Sequence, residues 1–108
     1  MINIKIYKDE RGCEPFKKWV SDFKNKTTKA RIYNRLKRIR LGNFGDYKNI
    51  GQGLFELRLH FGPGYRIYYG KLGRQIILLL AGGTKAKQTK DIKKAKLYWH
   101  YFKNHEKK

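Results

Sequence analysis

The chain has 108 residues and a mass of 12.9 kDa, with 27 Lys and Arg against 8 Asp and Glu, a net charge of +19 and a pI near 10.2. A single domain of this size buries about two thirds of the surface its unfolded chain exposes, so it can build a core without disulfides or a structural metal. The 40% hydrophobic and 15% aromatic content argues against disorder, and the lone Cys13 excludes an internal disulfide framework and a Cys-based zinc site.

Ile2, Ile4 and Ile6 alternate with Asn3 and Lys5, a short strand. The opening residues do not read as a signal peptide. Phe16, Trp19, Val20 and Phe23 recur at i, i+3, i+4, i+7, an amphipathic helix, and Ile32, Leu36 and Ile39 continue with helical spacing. A hairpin around Asn25, Lys26 and Thr27 joins the two helices, and Gly42-Asn43 stops the second. Residues 42–53 carry four glycines and read as a loop. Phe55, Leu57, Leu59 and Phe61 alternate with Glu56, Arg58 and His60, a half-buried strand that turns at Gly62-Pro63-Gly64. Residues 65–69 form the return strand. Residues 76–81 are apolar on both faces, which predicts a strand buried on both sides, ended by Gly82-Gly83. This is also the longest apolar run, far short of the ~18 residues that span a membrane. Ile92, Ala95, Trp99 and Phe102 share one face of a final helix, and residues 104–108 read as a frayed basic tail. The order β-α-α-β-β-β-α predicts one α+β domain with a small, mostly antiparallel, four-stranded sheet.

Register decides what the sheet presents. A two-residue turn at Pro63-Gly64 would put Arg66 and Tyr68 on the apolar face with Leu57 and Leu59, burying a guanidinium. A three-residue loop pairs Phe61 with Tyr65 and sends Ile67 to the apolar face. Arg58, His60, Arg66 and Tyr68 then gather on the other face, with His60 opposite Arg66 and Arg58 opposite Tyr68. A one-residue slip costs a buried charge, so the second register is expected. On the second helix Arg31, Arg35 and Arg38 fall on the face opposite the apolar stripe. So large a cationic excess fits a polyanionic partner, and such a surface gives affinity for a nucleic-acid backbone without reading its sequence.

Several segments, in this order, carry a resemblance: Glu56-Leu57-Arg58; Gly62-Pro63-Gly64-Tyr65-Arg66-Ile67-Tyr68; Leu79-Leu80-Ala81-Gly82-Gly83-Thr84-Lys85; then Gln88, Asp91-Ile92 and Ala95. Together they resemble the RelE/ParE superfamily of bacterial toxin–antitoxin modules, in particular the HigB-like addiction module killer protein group. The resemblance implies a RelE-like fold and a ribosome-dependent endoribonuclease, an mRNA interferase that uses the ribose 2′-OH as nucleophile without metal or cofactor. It implies catalytic roles for Arg66 as phosphate clamp, Arg58 as a second phosphate or base contact, and Lys85 just after the last strand. His60 joins them on the register argument, as an imidazole able to serve as base or acid near neutral pH. Tyr65 and Tyr68 are candidates to stack on RNA bases, and Arg31, Arg35 and Arg38 to contact ribosomal RNA. Where some relatives have Lys, this chain has Glu56, either an orienting partner of Arg58 or a general base. The partners implied are the small ribosomal subunit with its mRNA and a cognate antitoxin with an acidic contact segment. The free chain is expected to be a cytoplasmic monomer that forms a heteromer with the antitoxin and no membrane contact. Three other readings stay open: a ParE-like gyrase inhibitor without nuclease activity, a non-catalytic RNA-binding module, and a basic ribosome-associated protein.

Overall fold

A computed structural model describes residues 1–106. Along the chain it places β1 (Asn3–Ile6), α1 (Pro15–Ser21), α2 (Lys26–Arg40), β2 (Tyr47–Gly51), β3 (Leu54–Leu59), β4 (Tyr65–Lys71) and β5 (Ile76–Thr84). A single 3₁₀ turn (Lys85–Lys87) then leads into α3 (Gln88–Glu106). The fold is α+β, but the sheet has five strands in the order β1-β5-β4-β3-β2, and it is mixed because β1 runs parallel to β5. Both facts correct the four-stranded, mostly antiparallel sheet expected from the sequence.

The additional strand, β2, comes from the segment expected as a loop. Tyr47, Lys48 and Asn49 are all exposed, so the strand has no buried alternation for periodicity to detect. It pairs along β3 with Tyr47 opposite Leu57, and the chain reverses between Gly51 and Leu54. The two turn residues, Gln52 and Gly53, both have positive φ (56° and 82°), the twist that suits a two-residue hairpin. Gln52 is the only non-glycine with positive φ among the described residues. The Trp99 indole holds it there, donating to the Gln52 carbonyl at 2.8 Å.

Helices cover both faces of the sheet. On one, Phe16, Val20, Ile32, Leu36 and Ile39 pack on Leu57, Leu59, Ile67, Tyr69, Ile77 and Leu79. On the other, Ala95 and Trp99 of α3 pack on Leu54, Tyr68, Leu78 and Leu80. Strand β5 lies between the layers, which is why it is apolar on both faces, as expected. It does not stop at the glycine pair; it runs on to Thr84. A Cβ on Gly82 would lie 2.2 Å from the Trp19 ring, and one on Gly83 would lie 1.8 Å from the Asp91 carboxylate. The two glycines therefore admit a helix on each side.

The β3–β4 ladder ends at Leu59 opposite Tyr65, leaving residues 60–64 as the loop. The expected register is corrected by two residues. A shift of two keeps every side chain on its face, so the face assignment survives while the partners change. Arg58 stands opposite Arg66, Glu56 opposite Tyr68, and His60 lies outside the ladder. The α1–α2 turn lies at residues 22–25, earlier than expected, because Lys26 and Thr27 already belong to α2; Asn25 caps the helix by accepting from the Thr27 and Thr28 amides at 2.8 and 3.3 Å. In α3 the expected face is turned inward, with Ala95 and Trp99 buried. The helix also continues through Glu106, where a frayed tail was expected from residue 104. The rest of that expected tail lies outside the described residues. Among those described, no helix is long and apolar enough to cross a membrane.

Candidate anion site on the α3 face of the sheet

Two successive rungs on one face of the sheet build the site. One aligns Glu56, Tyr68 and Ala81 across β3, β4 and β5; the next aligns Arg58, Arg66 and Gly83. The first turn of α3 lies over them and contributes Gln88 and Asp91.

Glu56 is the only carboxylate between Asp46 and Asp91, and it is fully buried. A buried charge is tolerated only when paired and hydrogen-bonded. Its Oε1 accepts from Arg58 Nε at 3.1 Å and lies 3.9 Å from Arg66 Nε, and its Oε2 accepts from Gln88 Nε2 at 2.6 Å. One anion thus hydrogen-bonds Arg58 through Nε and lies within ion-pair distance of Arg66 Nε. The arginine side chains are 30% and 8% exposed, and their terminal nitrogens have no acceptor among the described residues. Two planar guanidinium groups share a carboxylate that neutralises only one of the two charges; Arg58 is partly open to solvent, and Arg66 is nearly buried. This arrangement suits a ligand with several anionic oxygens, such as a phosphodiester passing through a pentavalent state.

Three buried polar atoms close to these rungs have no hydrogen-bond partner: Arg66 Nε, Tyr68 Oη and Asp91 Oδ2. Burial pushes the Asp91 carboxyl above the ordinary carboxylate range, against the pull of Lys94, Lys87 and Lys90. Burial, with the charges of Glu56 and Asp91, also holds the Tyr68 phenol well above its usual value. Lys85 is exposed and starts the 3₁₀ turn, two positions beyond Gly83, and its amide donates to the Gly64 carbonyl at 2.7 Å. It therefore stands at the mouth of the loop next to the Arg66 rung.

The structure brings Arg58, Arg66 and Lys85 to one end of the sheet, and it moves other candidates elsewhere. His60 does not face Arg66. Its Nε2 meets Asp46 Oδ2 at 2.5 Å, and the ring borders a recess of about 390 Å³ with Arg31, Asn34 and Arg38 of α2. That hydrogen bond holds the Asp46 carboxyl below its usual range. Tyr68 is fully buried under α3, so it presents no ring face to a base. Tyr65 lies on the opposite face of the sheet, edge-on to Trp19 and Phe23 with centroids 6.0 and 5.2 Å away. Tyr68 is a core residue, and Tyr65 is a half-buried aromatic packed against the core of the other face.

Arg35 is likewise committed to the fold. It donates to three carbonyls, those of Arg58, Phe44 and Asp46, at 2.8, 3.1 and 3.2 Å. Burial, then Arg38, lowers its pKa from the ordinary guanidinium value. It braces the backbone of the strand that carries Arg58. Arg31 and Arg38 remain exposed, and Arg31 lies over the Phe61 ring at 4.3 Å from its centroid. The anchoring by Gln88 was not read from the sequence. Only the lone Glu56, on the strand that carries Arg58, hints in the sequence that a partner is needed.

These features define a small α+β protein whose sheet carries a cationic cradle built on one buried carboxylate. No family model matches the chain. It is 49% identical over 82 residues to an uncharacterized protein of Haemophilus influenzae, an alignment covering 76% of this chain and 83% of that protein. The chain belongs to the same family as that protein.

Proposed function

We propose that the chain is a ribosome-dependent mRNA endoribonuclease of the RelE/ParE type, the toxin of a toxin–antitoxin module. The observation that carries this reading is the pair of guanidinium groups of Arg58 and Arg66, preorganised on buried Glu56. The motif order in the sequence and the +19 charge support it.

In the proposed reaction the ribose 2′-oxygen attacks the adjacent phosphorus and gives up its proton. The bond to the 5′-oxygen breaks, that oxygen takes a proton, and a 2′,3′-cyclic phosphate remains. Charge develops on the non-bridging oxygens, where the two arginine forks stabilise it most. Lys85, at the open edge of the cradle, supplies a further cation near the leaving oxygen. Arg31 and Arg38 form a second cationic surface for the ribosomal RNA backbone, with His60 at its border. An antitoxin with an acidic contact segment neutralises the free monomer by forming a heteromer with it.

Primer extension on cellular mRNA after brief induction tests this. The expected result is new 5′ ends within translated messages. Intact messages with a DNA-damage response would replace the reading with gyrase inhibition. RNA binding without cleavage would replace it with a binding module.

A further inference from the structure

We infer that Gln88 is a positioning residue for the arginine cradle, acting through Glu56; the inference rests on the proposed nuclease site and names the group that keeps it in register. The torsion that turns a glutamate carboxylate is broad and two-fold, so rotamer preference does not fix the plane of this group. Hydrogen bonds must fix it instead. Oε1 faces both arginine Nε atoms, while Oε2 is held by Gln88 Nε2 at 2.6 Å. The amide must present nitrogen there, because a carbonyl oxygen would face a carboxylate with no proton between them.

Gln88 is itself fixed. It is the first residue of α3 and the cap of the preceding 3₁₀ turn, its backbone amide bonded to the Lys85 carbonyl. The chain that carries Lys85 thus leads directly into the residue that orients Glu56, and Glu56 orients both guanidinium groups. Without the Gln88 donor, Oε2 of a fully buried carboxylate loses its one geometric hydrogen bond, and only the Tyr68 phenol across the rung is left beside Glu56. The carboxylate is then free to rotate and draw an arginine fork inward, away from the position an RNA phosphate would occupy.

Two variants and two readouts test this. Gln88→Met keeps the length and helix propensity of the side chain and removes the donor; Gln88→Lys keeps a donor. In single-turnover cleavage on programmed ribosomes, Gln88→Met is expected to lose about 10- to 100-fold in the rate at saturating ribosome, the scale of a displaced catalytic group. The half-saturating concentration should stay within about threefold, and Gln88→Lys should recover most of the rate. The second readout needs no activity: nitrogen-15 NMR of the arginine Nε–H groups with water-exchange rates. Faster exchange at Arg58 and Arg66 in folded Gln88→Met, reversed in Gln88→Lys, supports the inference even if the parent cleaves nothing, in which case the nuclease reading alone fails. Unchanged Nε–H exchange in Gln88→Met overturns it whatever the rate does. An active parent whose folded Gln88→Met variant cleaves within about threefold also overturns it.

Discussion

Arg35 and Arg38 lie one helical turn apart on α2 and do different things. Arg35 donates to the carbonyls of Arg58, Phe44 and Asp46, whereas Arg38 is exposed and lines the α2 recess. Truncating Arg35 to Ala strands partly buried carbonyls, so urea unfolding is expected to show a loss of about 1–3 kcal/mol. Arg38→Ala should stay within about 0.5 kcal/mol of the parent, as an exposed substitution does. Equal effects from the two variants would contradict the bracing role. A helix wheel shows that positions 31, 35 and 38 share a face. It cannot show that a loop and a strand from beyond residue 43 bring three carbonyls to only one of them. The His60–Asp46 pair was equally hidden, because it joins residues across the edge of the sheet. The Asp46 carboxyl is held below its ordinary range chiefly by His60, so it favours the fold above the unfolded carboxylate pKa and loses that contribution as the pH falls through its own. In His60→Ala, NMR titration should find the Asp46 pKa raised toward the ordinary value; an unmoved pKa would contradict the assigned cause.

At the scale of elements, what was legible followed burial. Helices α1 and α2, the apolar face of β3 and the inward face of α3 are readable because each buries one periodic stripe, and β5 is readable because it is apolar on both faces. Strand β2 is not, since an edge strand with polar residues on both faces looks like a loop. The β3–β4 partners were displaced by two because apolar alternation continues through Phe61, while the ladder stops at Leu59. The faces were right for the same reason: burial constrains parity and not the partner. The end of β5 was misjudged because glycine reads as a stop, whereas Gly82 and Gly83 make room for Trp19 and Asp91. Gly83→Ala places its methyl group on the Asp91 carboxylate, so it should destabilise by about 1–3 kcal/mol, the usual cost of overpacking. Thermal unfolding monitored by circular dichroism checks this. A variant as stable as the parent would mean that α3 sits less tightly on β5 than the structure shows.

At the scale of the whole molecule, charge and burial set two further expectations. With 27 cationic side chains and 8 acidic ones, RNA or ribosome affinity should fall linearly in log–log form with salt, by about 0.7 for each single-strand phosphate neutralised. An affinity unchanged between low and moderate salt would remove the electrostatic basis of binding. Tyr7 is pushed to about 12, by burial first and by Asp9 next, and burial also raises Tyr68 and Tyr69 well above the ordinary phenol. Groups raised in this way support the fold fully below the unfolded tyrosine value near 10 and lose that support as the pH climbs through the folded ones. The urea midpoint should therefore drop above about pH 10, with phenolate absorbance of the buried rings appearing only on unfolding. A midpoint flat to about pH 12 would contradict the burial of these rings.

On the proposed function, Arg66 grips the scissile phosphate from its seat beside Glu56, and single-turnover cleavage on mRNA-programmed ribosomes reads that grip. Arg66→Ala, shown to be folded by a thermal melt and still bound by its antitoxin, is expected to lose about 100- to 1,000-fold in rate, the usual cost of removing a preorganised charge donor. Arg66→Lys should recover only part, since an ammonium does not reproduce the planar fork. A folded Arg66→Ala that cleaves within about threefold of the parent, a difference near 0.65 kcal/mol, would make Arg66 a structural residue and contradict the claim.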